Sequence, residues 1–152
     1  MKTINPYTEE VIEDHARDSQ EDLQRKLERT AEAFRDWSAK KPEQRAEPIS
    51  KLGTLIEENR DSLAKLMVTE MGKLSGHAQA EVDLGIDICR YSAEEGPRIL
   101  RDQSRDVDQG RALVTFQPIG TIFSVQPWNF PLYQVIRNAA PLLVAGNAMM
   151  LS

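Results

Sequence analysis

Pro127-Trp128-Asn129-Phe130 sets a neutral side-chain amide between two kinds of apolar segment. Before it, Ile119-Gly120-Thr121-Ile122-Phe123-Ser124-Val125 is almost wholly apolar, as expected for a strand buried on both faces of a parallel sheet. After it, Pro131 suits the first turn of a helix that carries Leu132, Val135, Ile136, Ala139, Leu142 and Leu143. Ligands of open parallel sheets bind beyond the carboxyl ends of the strands, and this turn lies there. Free N–H groups at the start of the helix, with the positive end of its dipole, would favour an anion or a cofactor phosphate. The Asn129 amide has two donors and no charge, so it can stabilise an oxyanion that develops when a carbonyl is attacked. The plain alternative is that Asn129 only caps the helix and Trp128 only fills space at a strand end. No GxGxxG occurs, so the standard dinucleotide fingerprint is absent.

The elements around this turn are readable from periodicity. Gly146-Asn147 stops the helix, with Pro141 expected to kink or shorten it, and Ala148-Met149-Met150-Leu151 begins another strand. Strand, helix, strand is a βαβ unit, hence an α/β fold with a parallel sheet. Upstream, residues 3–13 read as a turn and a short strand. Four helices follow. The first starts at Ser19, with Asp22 completing a capping box, and Pro42 ends it. Leu23, Leu27, Ala31, Phe34 and Ser38 share its face, beside Trp37. The second runs from about Glu43 to Asn59, with Ile49, Leu52, Leu55 and Ile56 inward and Pro48 near its first turn. Asp61 or Ser62 is expected to cap the third, with Leu63, Leu66, Met67 and Met71 inward and Gly72 as its stop. Ser75 is expected to cap the fourth, through Val82, Leu84, Ile86, Cys89 and Tyr91 toward Gly96-Pro97. Leu113 to Gln117 is a strand entered through a turn at Asp106–Gly110, and Pro118 breaks it.

Composition narrows the class. Charged residues are 28%, aromatics 6%, and the net charge is −5, which fits an ordered globular chain and gives no basic surface for nucleic acid or acidic lipid. No stretch is long and apolar enough to span a membrane, and the first residues lack a secretory leader, so the expected location is cytoplasmic. Beyond residue 110 the only charged side chains are Arg111 and Arg137, a pattern expected of a segment interior to something larger. The single cysteine, Cys89, excludes a disulfide framework and reads as a small buried hydrophobe. His15 and His77 are isolated, and no metal site is expected. Glu57-Glu58 and Glu94-Glu95 are solvated faces, and Lys73 after Gly72 is a helix-end charge.

The chain resembles the amino-terminal part of the NAD(P)-dependent aldehyde dehydrogenase superfamily over its whole length. The blocks that carry this are Asn5-Pro6 with Glu10-Val11-Ile12, Ala33-Phe34-Arg35-Asp36-Trp37, Arg45, Glu70-Met71-Gly72-Lys73, Gln117-Pro118-Ile119-Gly120, Pro127-Trp128-Asn129-Phe130-Pro131, Ala139-Ala140-Pro141 and Ala145-Gly146-Asn147. Tyr133-Gln134-Val135-Ile136-Arg137 is most similar to the succinate-semialdehyde dehydrogenase branch.

The resemblance implies an aldehyde-dehydrogenase-like fold in three parts: a strand and helical layer over 1–104, an oligomerisation-arm hairpin over 105–118, and the first βαβ of a Rossmann-like sheet over 119–152. It implies an aldehyde substrate, NAD or NADP, and a homo-oligomer, dimer or tetramer. In the family a cysteine thiolate attacks the aldehyde, hydride passes to nicotinamide, and a glutamate-activated water hydrolyses the thioester. By resemblance Asn129 stabilises the oxyanion, and Gln126, Pro127, Trp128, Asn129 and Ser152 lie along the cofactor. Ser152 stands where the family usually has a lysine. The family nucleophile and general base lie downstream of residue 152, so the expectation is about one third of a subunit, inactive by itself. The other expectation is a non-catalytic module that associates through the arm strand. In an isolated chain the apolar segment after residue 118 is expected to be exposed.

Overall fold

The computed structural model describes residues 1–152. An antiparallel pair, β1 (Lys2–Ile4) and β2 (Val11–Asp14), precedes four helices: α1 (Gln20–Ser38), α2 (Pro42–Glu58), α3 (Arg60–Met71) and α4 (Ser75–Ile99). A hairpin of β3 (Gln103–Asp106) and β4 (Arg111–Val114) follows. The chain then forms β5 (Thr121–Ser124), α5 (Pro131–Val144) and β6 (Ala148–Leu151). β5 and β6 pair in parallel, from Thr121 opposite Ala148 to Ser124 opposite Leu151, so the expected βαβ unit and α/β class are present.

The core lies among α2, α3, α4 and α5, where Ile49, Ile56, Met67, Val82, Ile86, Cys89, Ile136 and Val144 are buried together. On α4 the buried residues Val82, Ile86 and Cys89 are spaced four and three apart, which puts them on one face. Leu84 and Tyr91 fall off that face and are exposed, contrary to expectation, and so are Leu55 of α2 and Leu66 of α3. α4 meets α5 closely at Gly96: a Cβ there would come within 2.6 Å of Val144 Cγ1. Gly96→Ala should therefore cost about 1–3 kcal/mol by overpacking. Urea unfolding followed by circular dichroism measures it.

Several boundaries differ from the sequence reading. The capping box at Ser19 is as expected, with the Asp22 N–H donating to Ser19 Oγ at 3.1 Å. α3, however, is preceded by Asn59 rather than by Asp61 or Ser62, and the Ser62 hydroxyl donates back to Asn59 O at 2.8 Å. Leu74 precedes α4, and Ser75 is its first residue. Pro48 lies in the interior of α2, and α5 runs on through Pro141 instead of ending there. Both prolines are exposed, so the carbonyls that lose a partner can turn toward water. β4 ends at Val114 and not at Gln117. Its last partner is Gln103, where β3 begins, so residues beyond Val114 have no strand to bond.

The largest departure concerns β5. A strand buried on both faces was expected, yet only Ser124 is buried, and Ile119, Phe123 and Val125 are 84%, 60% and 68% exposed. A two-stranded ribbon has few neighbours to cover it, and α1 lies mainly against β6. The expected exposure of the apolar segment beyond residue 118 thus holds around β5 only, since Ile136, Ala139, Ala140, Val144 and Ala148 further along are buried.

Candidate functional site at the β5–α5 turn

The site begins where the parallel strands end. The Ser152 N–H donates to Ser124 O at 3.0 Å, which continues the β5–β6 ladder by one step. Ser152 and the start of the 126–130 turn therefore share the carboxyl end of the sheet. Gln126 Nε2 donates to Oγ of the buried Ser124, tying the turn to the strand. Pro127, Trp128 and Asn129 are exposed, Trp128 by 79%. Gln126, Pro127, Trp128, Asn129 and Ser152, the residues singled out by sequence, thus come to one end of one sheet.

The capping alternative for Asn129 is not what the chain forms. Phe130, not Asn129, precedes α5, and no side chain at that position caps the helix. Glu81 caps it from α4. The Leu132 and Tyr133 N–H groups both donate to Glu81 Oε1 at 3.0 Å. The next amide, Gln134 N–H, already bonds Phe130 O at 3.0 Å. The expected free N–H groups at this helix start are therefore occupied, and a carboxylate sits where an anion was expected. Trp128 is too exposed to be filling space in a core.

Lys73, read from sequence as a helix-end charge, is an integral part of the turn's support. Its ammonium pairs with Glu81 Oε2, donates to Asn129 O at 3.1 Å, and lies 3.8 Å from the centroid of the Phe130 ring. The side chains of Glu81 and Lys73 are only 1% and 9% exposed. Glu81 went unnoticed because its partners are 51 and 52 residues away. A signal was nonetheless available: it is an acid on the apolar face defined by Ala78, Val82 and Gly85.

At the far end of α5, Trp37 Nε1–H donates to Leu143 O at 2.8 Å and the Arg45 Nε–H to Val144 O at 2.9 Å. Gly146 follows with φ of 94°, and a Cβ there would meet Arg45 Cζ at 3.0 Å. Asn147 Oδ1 accepts from Ile119 N–H at 2.8 Å and Gly120 N–H at 3.2 Å, which locks the entry to β5 against the exit from α5. Both ends of the helix are thus fixed, which fixes the turn. A cleft of about 820 Å³ between α1 and β6, lined by Lys26, Arg29, Trp37, Leu143 and Met149, includes none of residues 126–130.

Cys89 is fully buried, and burial raises its thiol pKa to about 11. A nucleophile needs the thiolate, so this residue is inert at neutral pH. Ellman's reagent should leave it unreacted in the native chain and titrate one thiol in guanidinium. Prompt reaction of the native protein would contradict the burial. No cluster of His, Cys, Asp or Glu fit to hold a metal is present, and no helix is long and apolar enough to cross a membrane.

Comparison with known proteins bears on the family and the fold. The chain is 39% identical over 149 residues to a Deinococcus radiodurans succinate-semialdehyde dehydrogenase [NADP(+)], covering 98% of this chain and 31% of that one. It is 35% identical to the Escherichia coli K12 succinate semialdehyde dehydrogenase [NAD(P)+] Sad, covering 98% of this chain and 32% of that one. Among solved structures, the succinic semialdehyde dehydrogenase of Streptococcus pyogenes in complex with NADP+ superposes with a TM-score of 0.93 at 36% identity, over 99% of this chain and 33% of that one. The chain therefore spans about one third of the length of the relatives it matches. The aldehyde dehydrogenase family model matches residues 1–152. By sequence, by fold and by the βαβ unit that carries the Trp128-Asn129 turn, the chain belongs to the aldehyde dehydrogenase family.

Proposed function

We propose that these residues form the opening third of a subunit that oxidises an aldehyde, with succinate semialdehyde as substrate, to the carboxylic acid with NADP or NAD. The observation that carries this is the uncommitted Asn129: it is exposed at the carboxyl end of the parallel strands, while Glu81 performs the helix cap that would otherwise explain it. In this reading the Asn129 amide donates to the oxygen of the aldehyde as a thiolate from outside residues 1–152 attacks the carbonyl carbon. The negative charge that gathers on that oxygen meets a donor already in position. NADP or NAD, when bound, accepts the hydride. Trp128 offers an exposed ring to a planar group, and Gln126, Pro127 and Ser152 border the same strand ends. The donor set fits a dinucleotide along the strand ends. It does not fit a phosphate on the α5 amides, which Glu81 occupies.

The three parts of the chain follow the same reading: residues 1–104 as a helical layer, 105–118 as an oligomerisation arm and 119–152 as the start of the cofactor-binding sheet. Support for the arm comes from Val107, Leu113, Val114 and Phe116, all 43–59% exposed on or beside the β3–β4 hairpin. Light scattering that finds only monomer at high concentration would count against association through it.

The test of the main reading is a graft. The 152 residues replace the matching segment of the Deinococcus radiodurans relative, and NADPH formation from succinate semialdehyde is followed. Activity in the graft, with none from the 152-residue chain alone, is expected. A folded graft without activity, or NADPH formation by the 152 residues alone, sinks the proposal.

A further inference from the structure

We infer that Lys73 and Glu81 are positioning residues for the Asn129 turn. Glu81 fixes the first amides of α5, Lys73 fixes the main chain of Asn129, and the buried pair sets the direction of the Asn129 amide. The importance of this pair for the reaction rests on the oxyanion reading of Asn129, whereas its mechanical role does not.

Every polar atom of the pair is accounted for. Glu81 Oε1 receives Leu132 N–H and Tyr133 N–H, and Oε2 receives the Lys73 ammonium. The ammonium spends its other donors on Asn129 O and the Phe130 ring. Asn129, Phe130, Leu132 and Tyr133 are thus held by two side chains that start outside β5 and α5, at the α3–α4 junction and inside α4. Such a clamp works only as a unit, because removing one partner leaves the other as an uncompensated buried charge. It also closes the positive end of the α5 dipole with a carboxylate of the chain itself. A rigid cap on one side and an exposed amide on the other are what a preorganised donor requires.

Amide hydrogen exchange on the 152-residue chain tests the clamp without reference to catalysis. Lys73→Met and Glu81→Ala should each speed exchange at Leu132 and Tyr133 on the order of tenfold, the loss expected for charge-assisted bonds. Val82 and Cys89 in the core should keep their protection. The neutral pair Lys73→Gln with Glu81→Gln retains acceptors for both amides and a donor for Asn129 O, so it should restore the slow exchange. If Glu81→Ala does not fold, this double variant and Lys73→Met still decide the matter. Unchanged exchange at residues 132 and 133, or a uniform rise across α4 and α5, overturns the positioning role. In the active graft, Lys73→Met should lower kcat more than the KM for NADP, and should lower it less when Asn129 is already Ala. Equal losses in both backgrounds overturn the route through Asn129. An Asn129→Ala graft of full activity would instead refute the oxyanion reading and leave the exchange result standing.

Discussion

Asn129→Ala in the graft is expected to lower kcat on the order of 10²–10³-fold, with the KM for aldehyde and NADP little changed, because one preorganised oxyanion donor typically contributes about that much. The donor meets its full partner only as charge develops, so the loss falls on kcat and not on ground-state binding. Asn129→Asp should be at least as damaging, since a carboxylate would face the developing oxyanion with like charge. Neither change should disturb folding. Asn129 is exposed, and its structural bond to Lys73 runs through the main-chain oxygen that both variants keep. Steady-state kinetics beside thermal melts separate the two effects. A fall in melting temperature that accounts for the lost activity would contradict the assignment.

Arg45→Met should cost about 3 kcal/mol of folding stability, a large part of the total for a domain of this size. Arg45 is only 6% exposed, and its guanidinium has no acid against it. Main-chain oxygens take that place: Nε–H donates to Val144 O at 2.9 Å, and Nη1 to Ser38 O at 3.3 Å and to Lys40 O. Val144 and Ser38 are the last residues of α5 and α1, where the helix dipoles are negative, and Lys40 lies just beyond α1. Burial lowers the pKa of the guanidinium and the charge of Glu43 works against that shift, so the cation is kept by geometry rather than by a neighbouring carboxylate. Removing it leaves several carbonyls without donors and opens space beside Gly146. Arg45→Lys should recover only part of the loss, because a point charge cannot reach the ends of both helices at once. Urea unfolding measures the difference, and a change below about 0.5 kcal/mol would mean that water replaces these bonds.

Much of the scaffold was legible because its signals are local. Pro131 sits in the first turn of α5, Gly146 and Asn147 end it, and Ser19 with Asp22 opens α1. The βαβ order followed from the apolar run before the turn, the helical period after Pro131 and the strand at Ala148–Leu151, and it placed the turn between β5 and α5. What failed depends on neighbours that are remote in sequence. Asn59 and Leu74 precede α3 and α4 without a side-chain cap, so no capping residue in the sequence marks those starts. Pro141 does not break α5 because its ring faces solvent. The exposure of Phe123 depends on how many strands and helices surround β5, which its own apolar run does not report. At the site, residues 126–129 and 152 could be singled out by resemblance. The Lys73–Glu81 pair could not be read in the same way, since a lysine after a helix-stopping glycine is usually a surface charge. Only the fold brings it under Phe130.

The most direct measurement is a crystal structure of the active graft with an aldehyde-derived adduct trapped on its nucleophile. The expected result is an adduct oxygen about 3 Å from Asn129 Nδ2, with Glu81 still bonded to Leu132 and Tyr133 N–H. An adduct oxygen held by other groups, with the Asn129 amide turned away from it, would contradict the assignment of this turn as the oxyanion site.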